Sequence, residues 1–582
     1  VAVRQRSRQH RASTGGPDRL RWLTIITLTF AGLLVVRFFT LQVIQHGFYT
    51  ALAQGQHSIF QKLFPERGEI LARESGGSLF PLATNRDLNL LYAVPTQVEK
   101  PEEAAKALAP LLNMIEVDLL PHLNKPNDIY EPLAHELSDD QRTKIEALNL
   151  KGIAFAPERT RYYPDGPTAA HLLGFWGFSG DERKGQYGLE GYFEHELKGS
   201  PGHLAAERDA GGRLIPIGNQ SFVPAQNGDD IVLTIDRTVQ YKACSALSEA
   251  VLKHGAVGGA LIILDPKTGK ILALCGAPKF DPNNYRDVSN ISAYVNSVIN
   301  TYEPGSVMKA ITMAAAVDQG KVTPDTTYTD EGNRVIGGYT IKNSDGKANG
   351  VQTMTQVLEA SLNTGAIFAM EQAGADVFRR YVQNFGFGVK TGITLEGESA
   401  GNISSLNQKG EIYPATASFG QGITVTPLQL AVAFGAIANH GLMMKPYLVD
   451  EILKMGNVSV KTEPVEVRQV ISSKTATTIS AMLVNVVKNG HGTRAAVPGY
   501  FIAGKTGTAQ IPLKDRAGYD PNKTIGTFVG FGPVEDPRFV MVVKIDEPKD
   551  VQFAESSAAP LFGDIATFLL HYLNVPPTVP TE

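Results

Sequence analysis

Ser306 and Lys309 stand in "YEPGSVMKA", a serine just after Pro-Gly and a lysine three residues on, at the head of the apolar run "VMKAITMAAAV". At i and i+3 the two share a helix face, so their heads could touch. A serine hydroxyl attacks a carbonyl only when a neighbour takes its proton, and a lysine can do so when burial or nearby cations lower its pKa. The apolar helix supplies that burial. The serine's own backbone N–H, at a helix start, is among the donors a helix leaves unpaired and can face a developing oxyanion. The chemistry such a pair could perform is acyl transfer.

A lone Ser-x-x-Lys is weak: a helix cap with a snorkelling lysine has the same spacing, and Ser344 to Lys347 in "NSDGKANG" repeats it in a polar turn. Serine acyl-transfer enzymes of this type also carry Ser-x-Asn and Lys-Thr-Gly, in that order. "SLN" at Ser361 to Asn363 falls between the helical "QVLEA" and "TGAIFAMEQAG", at a helix-helix corner; a second "SLN", at Ser405, lies in a polar loop. Lys-Thr-Gly occurs at Lys267, in a hairpin turn upstream of the serine, at Lys390 in "FGVKTGITLEG", and at Lys505 in "FIAGKTGTAQI". Only the last combines the right order with an extended setting, and a strand is what a substrate peptide needs for backbone pairing. The expected site is therefore Ser306, Lys309, Ser361, Asn363 and Lys505, with Thr506, Gly507 and Thr508 on the strand. "GYFIAGKT", Gly499 to Thr506, satisfies a phosphate-loop pattern, but no helix follows it, and nucleotide binding is set aside. "HELSD" at His135 and "HELKG" at His195 begin like a zinc motif and then place Asp139 and Gly199 where the second histidine belongs. The expected chemistry uses no metal and no cofactor.

These groups need elements to hold them. The chain has 582 residues, 43% of them hydrophobic, enough for more than one core, since single cores stop growing at roughly 250 to 300 residues. Its net charge of -4 is unevenly spread: Arg4, Arg6, Arg8, Arg11, Arg19 and Arg21 face only Asp18 in the first 21 residues. Behind them Trp22 to Ile44 gives 23 mostly apolar positions, where about 20 cross a bilayer as a helix. Arg37 lies toward one end and can snorkel. A cleaved signal peptide with "ALA" at Ala51 to Ala53 is the rival reading, but that site lies too far past Val36 for a peptidase. An uncleaved anchor with a cytoplasmic N-terminus is expected. Cys244 and Cys275 could pair in an oxidising compartment, but two buried free thiols are the expectation.

From the anchor to about residue 225, short strands and amphipathic helices alternate, among them a capping box from Ser138 to Gln141. A new unit opens at "NGDDIVLTIDRTVQ" with Asp236 as a helix N-cap, followed by the strands "GALIILD" and "ILALCG". Three more strand-like runs, "FIAGKTGTAQI", "TIGTFVGFGP" and "RFVMVVKID", precede a last helix near Pro560 to Leu573. One sheet built from both ends of this unit, with the mainly helical middle inserted, is the economical solution. The tail "PPTVPTE" reads as loose.

Over nearly its whole length the sequence resembles the class B penicillin-binding proteins, membrane-anchored D,D-transpeptidases of peptidoglycan. The resemblance runs through "RFFTLQV", "RGEIL", "RYYP", "GLEGYF", "FDPNNY", "EPGSVMK", "SLNTG", "SFGQGITVTPLQLA" and "AGKTGTAQ". It implies an α+β architecture: a basic cytoplasmic tail over 1–21, a single transmembrane helix over 22–44, and an elongated mixed α/β pedestal of the dimerisation type over 45–226. A transpeptidase domain over 227–574 then has a five-stranded antiparallel sheet flanked by helices and a helical subdomain, and 575–582 is a flexible tail. Ser306 is then the acylated nucleophile and Lys309 its base. Ser361 relays protons, Asn363 binds the donor peptide amide, and Lys505, Thr506 and Thr508 position carboxylate and carbonyl. The backbone N–H groups of Ser306 and Thr508 form the oxyanion hole. Implied partners are peptidoglycan stem peptides ending in D-Ala-D-Ala, as donor and acceptor, beta-lactam antibiotics, a polytopic membrane glycosyltransferase and other division proteins at the inner membrane; nucleic acid is not among them. After "RGEIL" the family usually has Asp-Arg where this chain has Ala72-Arg73, which puts one pedestal contact in doubt. Length and "VTPLQLA" look most like the septal, division-type branch (the penicillin-binding protein 3 type); the elongation-type branch is the alternative. A beta-lactamase, a beta-lactam sensor and an inactive division scaffold are the further rivals. Glu398 with Asn402 in "GESAGN" mimics a deacylating loop and is read as a turn feature.

Overall fold

The computed structural model describes residues 17–46, 58–74, 76–180, 182–207, 220–288, 294, 296–456, 458–513 and 518–578. It divides into two units, one of residues 1–65 with 200–226 and one of 66–199 with 227–582.

In the first unit, helix α1 (Pro17–Phe39) runs on into a π-helical turn, Thr40–Ile44. Leu20–Ile44, 25 residues holding an 18-residue stretch of mean hydropathy 2.0, is long and apolar enough to cross a membrane. Its threonines do not spoil it: the hydroxyls of Thr24, Thr27 and Thr29 each donate to the carbonyl four residues back at 2.8 Å, which satisfies them without water. The arginines before Pro17 and the "ALA" of 51–53 lie outside the described residues. The unit also holds an antiparallel sheet of Ser58–Leu63, Gly202–Glu207 and Gln220–Val223.

The second unit contains a seven-stranded sheet. Its order is Val458–Lys461, Val449–Lys454, Asp230–Asp236, Ile70–Arg73 and Leu79–Ala93, the last pairing with both Glu131–Leu137 and Ile153–Tyr162. Against it the motifs "RGEIL", "RYYP" and "GLEGYF" meet: Arg67 Nε and Arg161 Nε donate to the two carboxylate oxygens of Glu190 at 2.8 and 2.7 Å, and Tyr163 Oη donates to Oε1 at 3.3 Å. Glu190 is fully buried. Burial alone would raise its pKa, but Arg161 and Arg67 together hold it below the usual carboxylate value. Removing the acid strands buried guanidinium, a loss of about 3–5 kcal/mol. Glu190→Ala is therefore expected to lower the denaturant midpoint of the full chain sharply. Because the folded pKa is depressed, this contribution is complete above the unfolded value and is lost as pH falls through the folded one. At the neighbouring departure, Ala72 is fully buried and Arg73 instead pairs with Glu451 at 2.7 Å.

The sheet that holds Lys505 consists of β1 (Gly258–Leu264), β2 (Ile271–Ala277), β3 (Ala503–Pro512), β4 (Tyr519–Gly532) and β5 (Phe539–Asp546), all antiparallel in the order β2-β1-β5-β4-β3. Both ends of the unit contribute, as the strand-like runs imply. The helices around it are α2 (Arg237–Lys253), α3 (Met308–Asp318), α4 (Met354–Glu359), α5 (Asn363–Ala373), α6 (Pro427–Ala438), α7 (Ser473–Asn489) and α8 (Ala558–Tyr572). Successive strand residues face opposite ways: Leu261, Ile263, Met541 and Val543 join Leu247 of α2 and Phe562 of α8 in one core, while Ile262, Leu264, Val540 and Val542 join Phe434 of α6 and Met313 of α3 in another. Sheets covered on both faces read as continuous apolar runs, as "GALIILD" and "RFVMVV" do. Asp236 caps α2 by accepting from Thr238 N and Val239 N. Helix α6 is buried at every position.

One expectation is corrected here. Cys244 and Cys275 are bonded rather than free: α2 packs on β2 with the two Cα atoms 5.2 Å apart, within bridging range. In the tail, Tyr500 Oη donates to Val575 O at 2.6 Å and Thr578 N to Gly499 O at 2.9 Å; residues 579–582 lie outside the described residues.

Candidate active site

A 3-10 turn, Gly305–Val307, delivers Ser306 to the start of α3. Two glycines let other segments close on this turn. A Cβ on Gly507 of β3 would sit 2.8 Å from Pro304 O, and one on Gly420 of "SFGQG" would sit 2.1 Å from Gly305 O. Gly305 N in turn donates to Gly420 O at 3.1 Å. Ser306 is half-buried; Lys309 is completely buried.

The hydrogen bonds of Lys309 go to Ser361, from Nζ to its carbonyl O and, at 3.2 Å, to its Oγ. Among the described residues no bond joins Lys309 Nζ to Ser306 Oγ, so the two heads foreseen from the i, i+3 spacing share an environment instead of a hydrogen bond. Ser361 sits at the α4-α5 corner with φ 54°, a left-handed conformation that costs a non-glycine residue about 1 kcal/mol or more. That backbone turn aims both its oxygens at Lys309. From the other side Lys505 Nζ, also fully buried, donates to Ser361 Oγ at 3.0 Å, to Thr506 O at 3.1 Å and to Thr506 Oγ1 at 3.3 Å. One hydroxyl thus lies between two buried amines. Burial pushes Lys505 down to about 7. Lys309 falls well below the ordinary lysine range, from burial first and from the Lys505 charge second.

Asn363 is the first residue of α5 and its Nδ2 donates to Lys342 O at 2.8 Å. Thr506 is buried, and Thr508 Oγ1 accepts from Ala554 N at 3.1 Å. Strand β3 pairs with β4 through Lys505 with Val529, Thr506 with Phe528 and Thr508 with Gly526. It is the edge of the sheet, so its other side is open to backbone pairing by an extended peptide.

The rival matches fall elsewhere. Ser344 and Lys347 are exposed. Lys267 is exposed on the β1-β2 turn and pairs with Asp536. Lys390 is exposed in a loop, and Ser405 lies in a short 3-10 turn with its Oγ donating to Gly422 O at 2.7 Å. Glu398 accepts from Thr391 N at 2.7 Å, Thr391 Oγ1 at 2.6 Å and Gly392 N at 3.2 Å, which closes a turn, as read. "GYFIAGKT" ends inside β3 with no helix after it. One residue near Ser306 lies outside the motifs: Glu303 Oε1 accepts from Gly422 N at 3.1 Å and from Tyr519 Oη at 3.3 Å, and burial raises its pKa. An acid three residues ahead of Ser306 was the available signal.

The chain matches a family model described as the penicillin-binding protein transpeptidase domain over residues 259–567 and one described as the penicillin-binding protein dimerisation domain over 62–233. It is similar to stage V sporulation protein D of Bacillus subtilis, 37% identical over 536 residues covering 91% of this chain and 81% of that one. It is also similar to the peptidoglycan D,D-transpeptidase FtsI of Escherichia coli, 31% identical over 529 residues covering 89% and 85%. Among solved structures it is similar to penicillin-binding protein 3 of Mycobacterium tuberculosis complexed with aztreonam, at a TM-score of 0.68 and 26% identity, covering 90% of this chain and all of that one.

Proposed function

Since the chain belongs to the class B penicillin-binding proteins and is a peptidoglycan D,D-transpeptidase, we propose that it cross-links stem peptides through an acyl-enzyme on Ser306. Lys309, whose neutral form burial favours, takes the Ser306 proton as Oγ attacks the carbonyl between the two terminal D-alanines. The backbone N–H groups of Ser306 and Thr508 hold the oxyanion. Ser361 passes a proton to the departing D-alanine amine, and the amine of a second stem peptide then attacks the ester and releases Ser306. Lys505, Thr506 and Thr508 bind the terminal carboxylate, and Asn363 binds the donor amide. A beta-lactam enters the same way, but its leaving amine stays tethered and the ester persists. The observation that supports this reading is the placing of Ser361 Oγ between the buried Lys309 and Lys505 amines. A peptide ending in D-Ala-D-Ala should lose one D-alanine in the presence of an acceptor amine and form a cross-linked product. Hydrolysis of penicillin with no persisting adduct would instead favour a beta-lactamase.

In this proposal 45–226 is a pedestal and 227–574 the catalytic domain, working with a polytopic membrane glycosyltransferase and division proteins. One apolar helix and FtsI-type relatives suit a single-pass inner-membrane protein. The orientation, N-terminus inside, rests on the arginines ahead of Trp22. A reporter fused after Glu582 should therefore be active only outside the cytoplasmic membrane, and the mature protein should keep its first residues. A new N-terminus near Gln54 would overturn the anchor. The septal role rests on the resemblance; the higher identity to a sporulation protein supports a second reading, the same chemistry serving sporulation. A fluorescent fusion concentrated at division septa in growing cells favours the first.

A further inference from the structure

Between α3 and α4 the chain inserts two small strand pairs, Thr327–Asp330 with Gly350–Thr353 and Asn333–Ile336 with Tyr339–Lys342. Asp330, only 1% exposed, gathers them. Its Oδ1 accepts from Gly332 N at 3.1 Å, Asn343 Nδ2 at 3.0 Å and Thr364 Oγ1 at 2.7 Å. Its Oδ2 accepts from Asn343 Nδ2 at 2.9 Å, Asn349 N at 3.1 Å and Asn349 Nδ2 at 2.7 Å. It takes part in none of the ion pairs among the described residues. A buried carboxylate held wholly by neutral donors is an organising centre, because every donor must keep its place for the charge to be tolerated.

Two consequences reach Asn363 and the start of α5. With its NH2 group fixed on Asp330, Asn343 turns its Oδ1 the other way, where it accepts from Thr364 N at 3.2 Å. Helix α5 needs that bond: its N-cap is Leu362, which has no side-chain acceptor, and the first N–H groups of a helix have no partner within it. The residue before Asn343 supplies the second link, Lys342 O accepting from Asn363 Nδ2 at 2.8 Å. A carbonyl oxygen binds only the NH2 end of an amide, so Asn363 is held with its Oδ1 directed away from Lys342.

We infer that Asp330 is a positioning residue of the acyl-donor subsite: through Asn343 and the Lys342 carbonyl it fixes the Asn363 amide so that its oxygen meets the N–H of the substrate's acylamide. The inference rests on the reading of Asn363 as the donor-amide group. Its test compares second-order acylation rates of the full-length protein by benzylpenicillin, which carries an acylamide, and by the parent penicillin nucleus, whose amine is unacylated. Wild type should prefer benzylpenicillin, and Asp330→Asn, which puts an NH2 where only acceptors fit, should lower that preference about tenfold or more, the scale of one substrate hydrogen bond. Asn363→Ala should lower it equally, and the double variant no further, since residues acting as one unit are not additive. If Asp330→Asn keeps the preference, or slows both reagents alike, the positioning role is overturned while the Asn363 reading stands. If Asn363→Ala keeps the preference, the Asn363 reading falls and the inference with it. Should Asp330→Asn fail to fold, Asn343→Ala is judged by the same ratio.

Discussion

Ser306→Ala should abolish the covalent penicillin adduct altogether, and Lys309→Ala should slow its formation by roughly two to four decades, the usual contribution of a general base. The first outcome follows if the bond is made to Ser306 Oγ, as proposed. The second follows from burial: Lys309 has no exposed surface, and both its desolvation and the Lys505 amine favour its neutral form. A lysine whose neutral form is favoured can accept a proton, whereas an ordinary, charged surface lysine cannot. Acylation should accordingly rise with pH through a lysine pKa well below the ordinary range and lose that limb in Lys309→Ala. Mass analysis of the penicillin-labelled protein, with rates taken from the time course of labelling, decides the matter. An adduct on Ser344, or turnover of penicillin by the wild type, would sink the assignment.

How far this site could be read from residues alone depends on which feature is asked about. Ser306, Lys309 and Lys505 could be separated from their decoys because setting is a local property: an apolar run announces a buried helix, and "FIAG" announces a strand, whereas Lys267, Lys347 and Lys390 stand in polar turns and are exposed in the fold. What Lys309 touches was not local. Ser361 reaches it only because the chain turns left-handed at a position where nothing but a serine is written, and a positive φ at a non-glycine leaves no compositional mark. Asp330 was equally invisible, since its partners Asn343, Asn349 and Thr364 are brought to it by two strand pairs and a helix start. The Cys244–Cys275 bond depends on α2 lying across β2, and burial alone could not choose between a pair and two thiols. The seven-stranded sheet pairs Asp230–Asp236 with both Ile70–Arg73 and Val449–Lys454. Pairings over such separations are set by tertiary packing, not by local periodicity.

Of the three Lys-Thr-Gly matches, only the one in β3 should matter to acylation. Lys505 lies on an edge strand, fully buried, and its amine shares Ser361 Oγ with Lys309. Replacing it with alanine removes a charge from a hydrogen-bonded site, a loss of about 2 to 5 kcal/mol in such settings, which is roughly two to four decades in rate. Folding should not suffer with it. Burial has pushed Lys505 down to about 7, so below the unfolded lysine value the unfolded chain binds this proton more tightly than the folded one does. The linkage then destabilises the folded state most at pH values below 7 and fades toward the unfolded pKa. Lys505→Ala should thus melt no lower than wild type, and its relative stability should be greatest in acid. Lys267→Ala loses only an exposed pair with Asp536, and such pairs contribute about 0 to 1 kcal/mol. Lys390→Ala loses an exposed loop amine. Both should acylate at nearly the wild-type rate. The measurement is the second-order penicillin acylation rate of the three alanine variants, each with its melting transition across pH. A crippled Lys390→Ala beside a normal Lys505→Ala would move the substrate strand off β3, and the route of the donor peptide along Thr506 and Thr508 would have to be abandoned with it.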